Sequence, residues 1–186
     1  MLPYTPLHYL LLDHGFAALV MTSGNQTDEP IAFENADAES RLQGIADGYL
    51  QHNRRIHIRT DDSIVRQLAG KPVLYRRSRG YVPRGIKFPE TKPPILAVGA
   101  ELKNAICLTR GDRAYLSHHI GDLKNQQVVD SMKQAIEHFQ GLLEVQPELV
   151  AHDLHPDYLS THVAEEYAAK LPLFAVQHHH AHLASC

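Results

Sequence analysis

ILAVGAELKNAICLTRGDRAYLSHHI, residues 95–120, decides the fold. Three short runs of strand-forming residues, ILAVGA, NAICLTR and RAYLSHHI, are separated by tight turns containing glycine or asparagine, the pattern of a β-meander. Downstream the period changes. Val128, Met132, Ala135, Ile136, Phe139 and Leu143 recur at helical spacing, so residues 125–143 are predicted to form a helix with one apolar face. A strand (ELVAHD), a helix (THVAEEYAAKL), a strand (LFAVQ) and the start of a last helix (HHHAHLASC) follow. By analogy of element order alone, βββαβαβα resembles the opening of a ribonuclease-H-like α/β domain.

Upstream, RGYVPRGIKFPETKPPILAVG places Pro83, Pro89, Pro93 and Pro94 within twelve positions. Each proline fixes its own φ and removes an amide donor, so regular structure is expected to break there. The expected division is a first domain over 1–88, a Pro-rich linker over 89–94 and a second domain over 95–186. In the first part HYLLLDHG reads as a helix closed by Gly15, and AALVMTS as a buried strand. AESRLQGIADGYL reads as a helix with Leu42, Ile45, Ala46 and Tyr49 on one face. IHIRT and PVLYRRS read as strands, with DDSIVRQL between them as strand or turn; that alternation is mixed α/β.

With 186 residues, 44% hydrophobic and 21% charged, the composition is that of an ordinary globular chain. A formal net charge of -3 argues against a dedicated nucleic-acid binder, whose affinity rests on excess Lys and Arg. The N-terminal stretch lacks the charged start and small-residue cleavage site of a signal peptide, and no apolar run approaches the roughly 20 residues of a membrane span. The two cysteines, Cys107 and Cys186, are too far apart for a CxxC site or a disulfide framework, so a cytoplasmic location is expected.

Chemistry concentrates in three places. If HHHAHLASC begins a helix, His178 and His182 are four apart and project from one face, the spacing that lets two imidazoles share a metal ion. His179 could substitute; a third ligand, often a carboxylate, would come from elsewhere and leave a position open for substrate. His118 and His119, neighbours on a predicted strand, have opposed side chains and are expected to be ordinary structural histidines. In MTSGNQTDEPI a strand ends in Ser23-Gly24-Asn25, a hydroxyl, a flexible backbone and an amide that can close on a phosphate or nucleobase or simply form a turn. Between Lys71 and Lys87 the cations Arg76, Arg77, Arg79 and Arg84 occur with no acid among them. On a strand Arg77 and Arg79 would face one side and Arg76 the other, offering planar forks to phosphate; a solvated basic edge is the alternative. Ser63 and Arg66 of DDSIVR could join the same pocket, which would then surround a nucleoside triphosphate.

MTSGNQTDEPI, DDSIVR and RRSRGYVP, in that order, resemble the later part of the YrdC-like domain of the HypF family of carbamoyltransferases, which mature nickel–iron hydrogenases. VGAELKNAICLTRGDRAYLSHHIGDL, HDLHPDYLSTHVAEEYA and VQHHHAHLASC resemble the opening of the same family's Kae1-like domain, a ribonuclease-H-like, actin-like ATPase fold. The resemblance implies a YrdC-like step that makes carbamoyl adenylate from carbamoyl phosphate and ATP. It also implies a Kae1-like step that passes the carbamoyl group to the C-terminal cysteine of a partner, HypE, on the way to cyanide. Carried over residue by residue, it makes Ser23 and Asn25 adenylate contacts, Ser63 their neighbour, and Arg77 and Arg79 the cations on phosphate. His178 and His182 become ligands of a divalent ion, with zinc, iron and magnesium all open. Lys103 and Asn104 fall in the hairpin that such folds turn toward nucleotide phosphates.

The family's acylphosphatase-like domain, Cys-rich zinc fingers, early Lys and Arg nucleotide motif and later Asp metal ligand have no counterpart in these residues. The chain is therefore expected to be an internal piece of a larger enzyme and to lack full turnover alone. Two rival readings are carried forward: threonylcarbamoyl adenylate chemistry for tRNA modification, and a non-enzymatic metal carrier suggested by the 14 histidines. Acceptor preference, peptide thiol against tRNA, separates the first; metal stoichiometry separates the second.

Overall fold

The computed structural model describes residues 3–27 and 29–185. Asp28 of MTSGNQTDEPI and Cys186 of the terminal HHHAHLASC lie outside the described residues. The elements, in chain order, are α1 (Pro6–Leu12), α2 (Asn35–Arg41), β1 (Ile64–Leu68), β2 (Lys71–Arg76), β3 (Ile86–Lys92), β4 (Ile95–Ala97), β5 (Cys107–Leu116), α3 (Gln126–Leu143), β6 (Leu149–Asp153), α4 (Leu159–Glu165), β7 (Leu173–Val176) and α5 (His178–Ala184).

The core belongs to the second half. A five-stranded mixed sheet runs in the order β3-β5-β4-β6-β7, antiparallel at β3-β5-β4 and parallel at β4-β6-β7. Leu96, Val98, Ile106, Leu108 and Val150 of the sheet region meet Met132, Ala135, Ile136 and Phe139 of α3 and Val163 and Ala164 of α4, all buried. The six positions whose spacing predicts an apolar helix face, Val128 to Leu143, are all buried on α3. Its start is fixed by Asn125, whose side chain accepts from the Val128 amide and satisfies a donor with no partner inside the helix. Helix propensity alone does not hold such a helix; the burial of this face does.

From Ile95 onward the order βββαβαβα holds, with one further strand, β3, ahead of it. NAICLTR and RAYLSHHI are the two arms of a hairpin within β5: the chain turns back at Gly111, φ 58°, the Ser117 amide donates to the Ile106 carbonyl at 2.8 Å, and Asn104 bridges Gly121 antiparallel. β3 pairs with the second arm of β5 and includes four of the six residues of the expected 89–94 linker. The chemistry of an edge explains this. Pro89 lacks an amide to donate, a lack tolerated on an edge strand, and the β3-β5 register shifts between Lys87 and Lys92, where the proline falls.

Among the described residues of the first 80, only Pro30 and Ser78 are buried. The expected buried strand AALVMTS is neither a strand nor buried; Val20 is 98% exposed. IHIRT is also not a strand. DDSIVRQL and PVLYRRS do pair, as the antiparallel hairpin β1-β2. The helix expected over AESRLQGIADGYL instead begins earlier and stops at Arg41, before Gly44 takes a left-handed φ of 79°; Ile45 and Tyr49 are exposed. None of the described helices is long and apolar enough to cross a membrane.

Candidate functional site

Parallel strands deliver their carboxyl ends to one side of a sheet, and open α/β sheets bind ligands in the crevice there. The registers Ala97↔Ala151 and Asp153↔Val176 align the ends of β4, β6 and β7 in this way. A cleft of about 770 Å3 opens beside them, lined among others by Gly99, Lys103, Asp153, Tyr158, His178 and His182.

The histidines reach it because α5 starts immediately after β7. The Gln177 side chain accepts from the His180 amide at 3.0 Å and caps the helix, so His178 and His182 lie one turn apart on one face. Their Nε2 atoms are 3.2 Å apart, with ring centroids at 4.8 Å. Two nitrogens each about 2.0–2.1 Å from one tetrahedral ion stand roughly 3.3–3.4 Å apart, so the pair has the spacing of two ligands on a common ion. His178 Nδ1 lies 2.6 Å from Asp153 Oδ2. Burial raises the affinity of Asp153 for a proton, but hydrogen bonds from His178 and the His155 amide outweigh it and hold the carboxyl below its usual range. His179 is turned toward Gln177, 2.9 Å from its Nε2. Among the described residues no group of three His, Cys, Asp or Glu is arranged to hold a metal by itself. His178 and His182 are thus two nitrogens that could hold an ion, and the described residues form no closed cage.

The opposite lip of the cleft is the turn after β4. Gly99 has a φ of 73°, and a Cβ there would meet the Ala105 carbonyl oxygen at 2.7 Å and Asn104 Nδ2 at 2.9 Å. The Asn104 amide is spent inside this turn, donating to the Val98 and Ala100 carbonyls at 2.9 and 2.7 Å. Asn104 is buried and does not line the cleft; Lys103 is exposed and lines it. Glu101 Oε2 accepts from the Leu159 amide at 2.8 Å, tying the turn to the start of α4.

A second region lies between the first part of the chain and the end of β5. Two clefts, about 370 and 420 Å3, share Ser23, Ile31, Arg59, Asp61 and Arg76. Asn25 lines the smaller one, its Nδ2 donating to the Gln26 carbonyl at 2.8 Å. Arg79 lines the larger, held by Tyr4 Oη at 2.6 Å, the Thr60 carbonyl at 3.1 Å and Asp62 at 3.6 Å. Ser63 and Arg77 line neither. The Ser63 hydroxyl donates to the Arg79 carbonyl and accepts from the Ser78 amide, locking the two chain segments together. One Arg77 Nη donates to the Tyr81 and Arg84 carbonyls at 3.3 and 2.6 Å, holding the turn 81–84. The reason is that β2 ends at Arg76, so the strand alternation that would pair Arg77 with Arg79 stops one residue too soon.

Arg76 and Arg59 therefore face the clefts, and neither is singled out by spacing. Arg76 could have been weighed equally with its neighbours; Arg59, in IHIRT, carries no local signal. His118 and His119 line the smaller cleft. His118 is 5% exposed, and burial, reinforced by His138, lowers its pKa to about 4, so its ring is neutral at pH 7.

Both halves of the chain match known families. The profile of the HypF Kae1-like domain matches residues 90–186. That of the Sua5/YciO/YrdC family, described as telomere recombination, matches residues 1–78. The carbamoyltransferase HypF2 of Cupriavidus necator is 48% identical over 100% of this chain and 25% of its own length. A carbamoyltransferase HypF of Synechocystis is 45% identical over 98% of the chain and 24% of its own. A crystal structure of full-length HypF in the phosphate- and nucleotide-bound form superposes with a TM-score of 0.93 at 48% identity, covering 100% of this chain and 29% of that one. HypF of T. kodakarensis gives 0.83 at 42% identity over 89% of this chain and 22% of that one.

Fold and site together define an α/β protein built from a YrdC-like part and a Kae1-like part. The chain belongs to the HypF carbamoyltransferase family. It spans about a quarter of the length of the relatives named here.

Proposed function

We propose that this chain contributes two half-sites to a cytoplasmic carbamoyltransferase that forms carbamoyl adenylate from carbamoyl phosphate and ATP and delivers the carbamoyl group to the C-terminal cysteine of HypE. The observation that carries this reading is the His178–His182 pair, 3.2 Å apart at Nε2 and set across one cleft from Lys103. Family membership and the carbamoyltransferase names of the relatives support it.

In the first half-site Ser23 and Asn25 offer a hydroxyl and an amide to the nucleotide, while Arg59, Arg76 and Arg79 offset negative charge on phosphate and departing pyrophosphate. Ser63 acts indirectly, by holding the backbone that carries Arg79, and Arg77 by holding the 81–84 turn. In the second half-site the acceptor thiolate attacks the carbamoyl carbon and AMP leaves. Lys103, exposed in the same cleft, meets the phosphate of AMP, and His178 and His182 are the residues that would hold a divalent ion. Such an ion, when bound, supplies positive charge that orients the nucleotide or polarises the carbamoyl carbonyl.

The test uses a chimera, with these residues replacing the matching quarter of C. necator HypF2. Carbamoylation of a HypE C-terminal peptide, dependent on ATP and carbamoyl phosphate and lost in His182→Ala, is the expected result. A folded, nucleotide-binding chimera that leaves the thiol unmodified, or that modifies tRNA instead, overturns the reading.

A further inference from the structure

The stretch HDLHPDYLST, residues 152–161, contributes His152, Asp153 and Tyr158 to the cleft wall, and its side chains are largely spent on nearby groups. Asp153 Oδ1 accepts from the His155 amide at 2.9 Å. Thr161 Oγ1 sits 3.2 Å from the Asp153 carbonyl and 2.9 Å from the His155 carbonyl, closing a knot at the end of β6. Tyr158 stacks flat on His155, ring centroids 4.2 Å apart at 8°. The Leu159 amide is bound by Glu101 from across the cleft. What this knot immobilises is the Asp153 carboxylate, whose side chain is 7% exposed and whose free oxygen, Oδ2, is 2.6 Å from His178 Nδ1.

We propose that Asp153 is a positioning residue for the histidine pair: it pins His178 by Nδ1–H, so that the Nε2 lone pair faces His182. This rests on the reading of His178 and His182 as metal ligands. The two ring nitrogens of a neutral imidazole are not equivalent, since one carries hydrogen and only the other can bind a cation. An ionised carboxylate accepts and never donates, so it selects the tautomer with hydrogen on Nδ1. The arrangement is the carboxylate–histidine–metal relay by which outer residues set the orientation and basicity of a ligand. The separation of 25 positions from Asp153 to His178 is bridged because β6 and β7 pair in parallel with Asp153 opposite Val176, two residues before the histidine.

Asp153→Asn separates positioning from mere support. The His155 amide can only donate, so the new side chain must turn its oxygen there and present its NH2 to His178 Nδ1. Nδ1 must then accept, and the hydrogen moves to Nε2, the atom that would bind the ion. Asp153→Ala lifts the constraint without reversing it. Zinc affinity of the whole chain, measured by competition with a chromophoric chelator, is therefore expected to fall in the order wild type, Asp153→Ala, Asp153→Asn. A loss of about 10- to 100-fold is expected for the alanine variant, the usual effect of losing an outer-shell partner. Long-range proton–nitrogen NMR of the metal-free chain should find His178 protonated on Nδ1 in the wild type and on Nε2 in Asp153→Asn.

A purely structural role predicts the reverse order, because asparagine keeps the shape that alanine deletes. Zinc binding by Asp153→Asn at wild-type strength, or a wild-type His178 protonated on Nε2, overturns the proposal and leaves the ligand reading standing. Failure of the wild-type chain to bind zinc, with His178 protonated on Nδ1, overturns the ligand reading and the proposal with it.

Discussion

Lowering the pH through the range where histidines charge tests how the two parts of the chain are joined. His118 stands at that junction, 5% exposed, on the wall that the end of β5 gives to the cleft with Ser23 and Arg59. Burial first, then the nearby His138, His119 and Arg59, disfavour its protonation; Asp61 opposes them without offsetting them, and the pKa falls to about 4. Unfolded, the same ring has a pKa near 6.5. As the pH drops below that value the unfolded chain takes up the proton before the folded one can. The contribution of neutral His118 to stability is thus fully present above about pH 6.5 and is lost progressively down to about pH 4. At about 1.4 kcal/mol for each tenfold difference in proton affinity, the loss is about 3 kcal/mol. His119 and His138 are lowered by burial too and act in the same direction, so the wild-type decline is the sum of several groups. His118→Gln isolates the one in question, because the amide does not titrate. Urea unfolding followed by circular dichroism from pH 7.5 to pH 4 should give a stability profile about 3 kcal/mol flatter in the variant. Parallel profiles for the two proteins would refute the assignment of a neutral, buried His118.

Three further outcomes follow from the geometry. Gly99→Ala forces a side chain into a φ of 73° and against the Ala105 carbonyl. The left-handed conformation alone costs about 1–2 kcal/mol, so a loss of at least that size is expected in chemical denaturation, and a change under about 0.5 kcal/mol would contradict it. Phe139→Ala empties the middle of the α3 packing face, where the ring is 2% exposed, and should cost about 3–5 kcal/mol by the same measurement. Arg76→Ala should weaken ATP binding by calorimetry with little effect on melting temperature, since Arg76 faces both clefts. Arg77→Ala should do the opposite, because its guanidinium holds the 81–84 carbonyls; equal loss of ATP binding in the two variants would restore Arg77 as a phosphate contact.

What was legible in the sequence was what is decided within about twenty residues. The α3 face could be read because a helix returns a side chain to the same side every three to four positions, and the core simply accepts that face. The same rule put His178 and His182 together, since both belong to one turn of one helix. The failures came where a partner strand or a solvent boundary had to be known. AALVMTS and IHIRT have strand composition but no strand beside them among the described residues, and a strand exists only through its ladder. KFPETK reads as a linker by its prolines, yet β5 offers it an edge where the missing amide costs little. Arg77 and Arg79 were paired by an alternation that β2 does not continue far enough to honour.

The family, through the resemblance of its motifs, and the order of elements from Ile95 onward, the α3 face and the adjacency of His178 and His182, through local periodicity, were therefore legible in the sequence alone. The tertiary structure alone decided which arginines face the cleft and that Asp153 grips His178. Those relations join residues 17 and 25 positions apart, Arg59 with Arg76 and Asp153 with His178, whose meeting depends on where one element ends and what packs or pairs alongside it.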